Sequence, residues 1–279
     1  MTRPLIGVMQ GRLVPPEEGR FQSFPAQQWR EEFPRARVAG IDCIEWIYEE
    51  PNAERNPIGS DEGLAELRAL SAGTGVAVRS ICADYFMTRP LVASGSANAE
   101  SIKRLLWLIE RSGLMGITYI VLPFVDSSRL QSAADCRALT ALLAESAPAA
   151  EAAGVELHLE TDLPPEQFAG LMRAVDSPMI KVNYDIGNSA SLGYDPAREF
   201  DAYAAWLGSV HVKDRVRGGG TVVPGTGDAD FATCFARIRQ AGFDRWFILQ
   251  VARSTPGNEV EWIAGMRRFV ETQLAAQGW

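Results

Sequence analysis

The chain is poor in the residues that most often mark a site. It has two histidines, His158 and His211, and four cysteines in 279 residues. Cys43, Cys82, Cys136 and Cys234 stand far apart, with no C-x-x-C pair. They read as small apolar residues of a reduced, cytoplasmic protein. No run of about 18 apolar residues occurs, so no membrane span is expected. The apolar stretch in MTRPLIGVMQGR is too short for a secretion signal. Positive charge is also short: the net charge is −8, which argues against a general nucleic-acid surface but leaves room for a local basic pocket. No linker and no low-complexity segment interrupts the chain, so residues 1–279 read as a single domain.

What is present is a rhythm. Short runs rich in β-branched and large apolar residues alternate with longer helical patterns. The strands are expected at 4–10, 41–47, 76–82, 117–123, 155–160, 179–185, 209–213 and 245–251. The helices are expected near 26–39, 61–72, 97–112, 132–153, 165–175, 196–206, 231–241 and 259–275. Gly40, Gly75, Gly113, Gly154 and Gly242 stand where helices should stop. Eight βα units in a chain of this length predict an α/β fold, a single (β/α)8 TIM barrel. The rival is a doubly wound sheet, which usually shows a glycine-rich phosphate fingerprint after its first strand. Here MQGRLVPP follows instead.

Barrel sites form at the C-terminal strand ends, and period-two alternation tells which residues point inward. In VELHLE, Glu156, His158 and Glu160 face the axis. In KVNYD, Lys181, Asn183 and Asp185 share a side. Ser209, His211 and Lys213 point in from SVHVK, and Gln250 from WFILQV. Glu160, Asp185, His211 and Gln250 therefore converge from four consecutive strands. Each alone reads as a hydrogen-bonded rim residue; four in register read as a divalent-metal site. Mostly oxygen ligands with one nitrogen suit Mn²⁺, Mg²⁺ or Co²⁺, with Zn²⁺ also open.

The segments ELHLET, NYDIGN, VHVKD, PGTGDADF and FILQVAR resemble the xylose-isomerase-like TIM-barrel superfamily, in its sugar phosphate isomerase and epimerase branch. The likeness spans the chain and is sharpest over residues 155–253. It implies that a glutamate, an aspartate, a histidine and a last glutamate bind one metal; the first three map onto Glu160, Asp185 and His211. At the fourth position this chain has Gln250. A glutamine can coordinate through its carbonyl oxygen but cannot take a proton. Family epimerases place one glutamate on each face of the substrate carbon, and this chain keeps only Glu160. The resemblance therefore implies a sugar or sugar-phosphate isomerase working through a cis-enediolate, with Glu160 as the one base. The alternatives are a keto-sugar or polyol dehydratase, an epimerase with another second base, or a sugar-binding relative without catalysis. Related repair endonucleases need several histidines and a basic face, which this chain lacks. A glycoside hydrolase would need two free carboxylates. Relatives often form dimers or tetramers, so a homo-oligomer is in keeping.

Around this core, Asn188, Lys213, Arg217, Arg253 and Glu45 are the candidate substrate-binding residues. Arg217 lies six residues after His211, where related ketose epimerases hold a substrate arginine. Arg253 could hold a phosphate or carboxylate, and inward Glu45 a sugar hydroxyl or a core salt bridge. His158 reads as a core or supporting histidine. The glycines of GGGTVVPGTGDADF (218–231) suggest a weak phosphate cradle. The loop 84–95 should cover the pocket, with Tyr85 and Phe86 as an apolar wall.

Overall fold

The computed structural model describes residues 4–279; the first three residues of the expected domain lie outside it. Eight parallel strands follow the expected order: β1 Ile6–Met9, β2 Cys43–Ile47, β3 Ala77–Cys82, β4 Tyr119–Phe124, β5 Glu156–Thr161, β6 Ile180–Asp185, β7 Leu207–Val212 and β8 Phe247–Leu249. Each pairs with its sequence neighbours, and β8 closes on β1 with Phe247 opposite Ile6. Between and after them run α1 Glu32–Val38, α2 Asp61–Thr74, α3 Ala99–Met115, α4 Ala133–Ala153, α5 Pro165–Val175, α6 Pro196–Tyr203, α7 Phe231–Gln240 and α8 Glu259–Ala276. This is a (β/α)8 barrel. Among the described residues no helix is long and apolar enough to cross a membrane.

The core lies between sheet and helices. Leu157 and Leu159 of β5, Val210 and Val212 of β7, and Phe247 and Leu249 of β8 are fully buried. Helix α3 buries Leu105, Leu108, Ile109 and Ser112, the three- and four-residue spacing of one helical face.

Two expectations need correction. Gly113 does not end α3: the helix runs through it to Met115, and Gly116 takes the left-handed conformation at φ 78°. Gly113 serves instead as a contact, since a Cβ there would meet the Ala153 carbonyl oxygen of α4 at 2.9 Å. The helix expected from residue 26 starts as a 3-10 turn, Trp29–Glu31, before α1. Pro34 has no N–H to give the Arg30 carbonyl, so the α ladder cannot extend back through that turn.

Additional elements sit after the strands. A short helix, Tyr85–Thr88, follows β3, and another, Ile186–Leu192, follows β6 directly. After β7 the chain forms a hairpin in which Asp214–Arg215 pairs with Thr221–Val222.

Candidate metal centre

Strand register builds the site. Asn183 stands opposite Ser209 and Asp185 opposite His211. Ile248 pairs with His211 and Leu249 with Val212, which sets Gln250 beside Lys213. Glu160, Asp185 and His211 are all buried, and one ligand atom from each lies within 4.8 Å of the others.

The two nitrogens of His211 face different ways. Nε2 lies 2.6 Å from Glu45 Oε1 across the barrel interior, and both side chains are fully buried. Nδ1 lies 3.4 Å from Glu160 Oε2 and 3.8 Å from Asp185 Oδ2. The amide of Asn183 donates to Glu160 Oε2 at 2.9 Å and meets His211 Nδ1 at 3.2 Å. An amide donor at Nδ1 leaves Nε2 as the N–H that Glu45 accepts, the tautomer that turns a lone pair toward the carboxylates. Burial opposes charging His211, but Glu45, Asp185 and Glu160 together push it well above the ordinary imidazole value. A cation at Nδ1 would take over the balancing of that negative charge.

Asp185 is also placed to serve a cation. Its Oδ1 accepts the Asn188 N–H at 2.8 Å, capping the short helix after β6. Its Oδ2 has no well-aligned hydrogen bond, although Lys213 Nζ lies 2.7 Å away. Burial would raise this carboxyl, but Lys213 and His211 hold it below the ordinary carboxylate value. Two carboxylate oxygens and an imidazole nitrogen with its lone pair turned inward fit a divalent ion. Lys213, one of three lysines in the chain, reaches this point because Gly187 makes room. A Cβ on Gly187 would meet the lysine Cγ at 2.7 Å. Gln250 turns its carbonyl oxygen to Lys213 Nζ at 2.8 Å and its amide nitrogen to Gln22 at 3.0 Å.

Above the cluster opens a cavity of about 650 Å³. Of the three cluster residues only Glu160 lines it, together with Asn188, Lys213 and Gln250. Asn188 donates to Glu160 Oε1 at 2.5 Å and accepts from Arg215 Nη1 at 2.9 Å.

Other expected residues are elsewhere. Glu45 does not reach the cavity; it lies one layer down, held by Ser80 Oγ at 2.7 Å, and its partner is His211. Arg217 is exposed in the hairpin turn, while Arg215, two residues earlier, lines the cavity. Arg253 is spent on backbone carbonyls, Phe21 O and Gly11 O, both at 2.7 Å. Phe86 is core and Tyr85 stacks on Tyr48, so Met87 and Thr88 form that wall instead. The glycine loop is no open cradle: the Asp214 carboxylate accepts the N–H groups of Gly225, Gly227 and Ala229 at 2.8, 2.9 and 3.2 Å. His158 is a core residue stacked on Tyr119.

Residues that sequence reasoning did not single out are Asn183, Gln22, Asp84 and Glu49. Asn183 was within reach, because it shares the inward side with Asp185. Burial lifts Asp84 to about 6, even though Gln22 and Cys82 donate to it. Loop residues such as Gln22 and Glu49 carry no periodic signal.

A closed parallel barrel with this cluster at its C-terminal end defines the class. A profile of the xylose isomerase-like TIM barrel matches residues 33–272, and the chain belongs to that family. It is 28% identical to the L-ribulose-5-phosphate 3-epimerase UlaE of Salmonella paratyphi C (strain RKS4594), over 92% of this chain and 94% of that one. Among solved structures, an L-ribulose 3-epimerase superposes with TM-score 0.74 at 19% identity, covering 99% of this chain and 96% of the other. An IOLI protein with a bound zinc atom superposes with TM-score 0.76 at 15% identity, covering 98% and 99%. At such identities the structures speak for the fold.

Proposed function

We propose that this chain is a divalent-metal-dependent sugar isomerase in which Glu160 is the single carboxylate base. One observation carries the reading. Glu160, Asp185 and His211 Nδ1 converge at the floor of the cavity, and Glu160 alone of the three also faces it. The epimerase relatives support the isomerase class. Glu160, Asp185 and His211 would hold the ion, with Gln250 able to offer its carbonyl oxygen if Lys213 moves. The oxygen-rich set favours Mn²⁺, Mg²⁺ or Co²⁺, with Zn²⁺ as the other option. Bound there, the ion would supply Lewis-acid polarisation of a sugar carbonyl and its neighbouring hydroxyl.

The remaining work falls to the chain. Glu160 takes the proton from the carbon next to the carbonyl and delivers it on the same face to the former carbonyl carbon, while a hydroxyl proton passes from one of the two oxygens to the other. Asn183 and Asn188 hold one oxygen of Glu160 each, which fixes the base. Gln250 can orient a hydroxyl but cannot take a proton. One base on one face suffices for aldose–ketose interconversion. The epimerase alternative has one support beside the relatives: Lys213 Nζ occupies the Gln250 side of the cavity and can carry a proton there.

The test is a sugar panel in D2O with added Mn²⁺. Deuterium entry at the carbon next to the carbonyl, with an aldose or ketose product and no water loss, supports the isomerase. An inverted centre gives the epimerase, and a dehydrated product gives the dehydratase. Binding without exchange would mark a catalytically silent relative. Metal analysis of His211→Ala should show loss of a divalent ion that the wild type retains; a wild type that binds none removes the basis of the proposal.

A further inference from the structure

We infer that the substrate is an uncharged polyhydroxy carbonyl compound, a free sugar and not its phosphate ester. The inference rests on the reading of this cavity as a sugar isomerase site. It departs from the curated relatives, which act on a phosphorylated ketose.

The charge on the wall carries it. Glu49, Glu50, Asp84, Asp126 and Glu160 line the cavity. Against them stand Arg20, Lys213 and Arg215. With Asp185 beneath and Arg89 paired with Glu50 at 2.9 Å, there are six carboxylates to four cations, so a bound divalent ion only brings the wall to neutrality and leaves no positive charge to spare. A phosphate ester adds close to two more negative charges at neutral pH.

The cations are already engaged. Arg20 Nη1 pairs with Glu49 at 2.8 Å, and Lys213 with Asp185 at 2.7 Å. Arg215 spreads its guanidinium over Gly219 O, at 3.0 and 2.8 Å, and over Asn188 Oδ1. Phosphate recognition elsewhere uses forked arginines or clusters of free backbone N–H groups. The nearby glycine loop has given three such groups to Asp214, and the short helix after β6 has given one to Asp185. Arg253 and Arg217 do not line the cavity.

What the wall does offer suits hydroxyls. Glu49 and Asp84 carry carboxylate oxygens, and Gln22 and Asn188 carry amides, all on the cavity. A sugar hydroxyl can donate to a carboxylate and accept from an amide, whereas a phosphate dianion only accepts.

The experiment compares free ketopentoses and ketohexoses with their terminal phosphate esters on the Mn²⁺-loaded wild type. Calorimetric Kd and deuterium exchange are read separately. The expected result is that each free sugar binds at least about tenfold more tightly than its ester, with inorganic phosphate failing to compete. The double variant Glu50→Gln, Asp126→Asn removes two rim charges outside the cluster. It should tighten ester binding several-fold at low salt, lose that gain in 0.5 M salt, and leave free-sugar binding within twofold. Esters that bind as well as or better than the free sugars, or phosphate that competes, overturn the inference and leave the isomerase reading standing. Free sugars that bind selectively without exchange sink the isomerase reading and leave this inference standing. If neither class binds, both fall.

Discussion

Replacing Glu45 by Gln tests the centre without touching the cavity. The side chain keeps its size and one acceptor oxygen, and it loses the charge that faces His211 Nε2 at 2.6 Å. Were the ring protonated, the charge pair at that distance would attract by about 6 kcal/mol at an effective dielectric near 20. Most of that is offset, because both groups are fully buried and their desolvation is costly. What remains is the preference for Nε2–H over Nδ1–H, and so for a lone pair on Nδ1. Partners of this kind are worth about 10- to 100-fold in metal affinity, or about 1.4–2.8 kcal/mol. Ser80 Oγ and His211 Nε2 hold different oxygens of Glu45, so a glutamine that keeps its oxygen toward Ser80 turns its NH2 to Nε2 and favours the Nδ1–H tautomer. The expected result is a 10- to 100-fold weaker Mn²⁺ affinity by competition with a chromophoric chelator, with native circular dichroism. Glu45→Asp, which keeps the charge but shortens the reach, should fall between. Wild-type metal affinity in Glu45→Gln would refute the assignment of His211 Nδ1 as the metal-facing nitrogen.

Three further outcomes are expected. Gln250→Glu places a carboxylate where Lys213 Nζ now lies 2.8 Å from an amide oxygen; it should tighten Mn²⁺ binding by about tenfold and add an epimerised product in D2O, and an unchanged product ratio would count against the one-base argument. Burial lifts the Glu32 carboxyl from 4.5 to about 7. A carboxyl raised in the folded state favours folding fully below its unfolded value, and that contribution is lost as pH rises through about 7. Urea unfolding of Glu32→Gln should therefore gain up to about 3 kcal/mol on the wild type between pH 5 and pH 8.5, and parallel curves would refute the burial cause. Asp214→Ala frees three loop N–H groups; it should cost about 3 kcal/mol and open residues 218–230 to limited proteolysis, and intact resistance would show that the loop holds by other contacts.

The barrel was legible because its information is local. Strand composition, helix periodicity and capping glycines each act within a few residues. Where a local signal had two uses, the reading went astray: Gly113 is a glycine near a helix end, but its use is to let α3 approach α4. The direction of Glu160, Asp185 and His211 followed from alternation, which any parallel strand obeys. Depth did not follow, because the layer a residue occupies depends on strand stagger around the barrel. Glu45 points inward as expected, yet it sits opposite Met9 and Ser80, a layer below the cavity. The choice between Arg215 and Arg217 depended on a hairpin whose register is set by Asp214–Val222 pairing. No spacing rule carries that information.

The depth of the polar layers explains how two carboxylates and an imidazole can be held together inside a barrel. A chain of contacts rises from the N-terminal end of the strands. Arg245 pairs with Glu156, which meets His158 Nε2 at 2.9 Å, and His158 Nδ1 meets Ser209 Oγ at 2.8 Å. Ser209 Oγ donates to Asn183 Oδ1 at 2.6 Å, and Asn183 turns its amide to Glu160 and His211. The Glu156 carboxylate only accepts, so Nε2 carries the proton of a neutral His158, and Nδ1 and Asn183 Oδ1 both face the one hydroxyl proton of Ser209. Burial lowers His158 to about 4, so the ring is neutral at physiological pH, with its Nε2–H toward Glu156. The Asn183 amide is oriented from above, because the Glu160 carboxylate only accepts and so takes the NH2 side. The second histidine of this histidine-poor chain braces the layer beneath the first through Ser209, while Glu160 keeps Asn183 from flipping, since a flipped Asn183 would turn a carbonyl oxygen toward that carboxylate. Because every member but Arg245 sits on a strand, the base is held by the part of the fold least able to move.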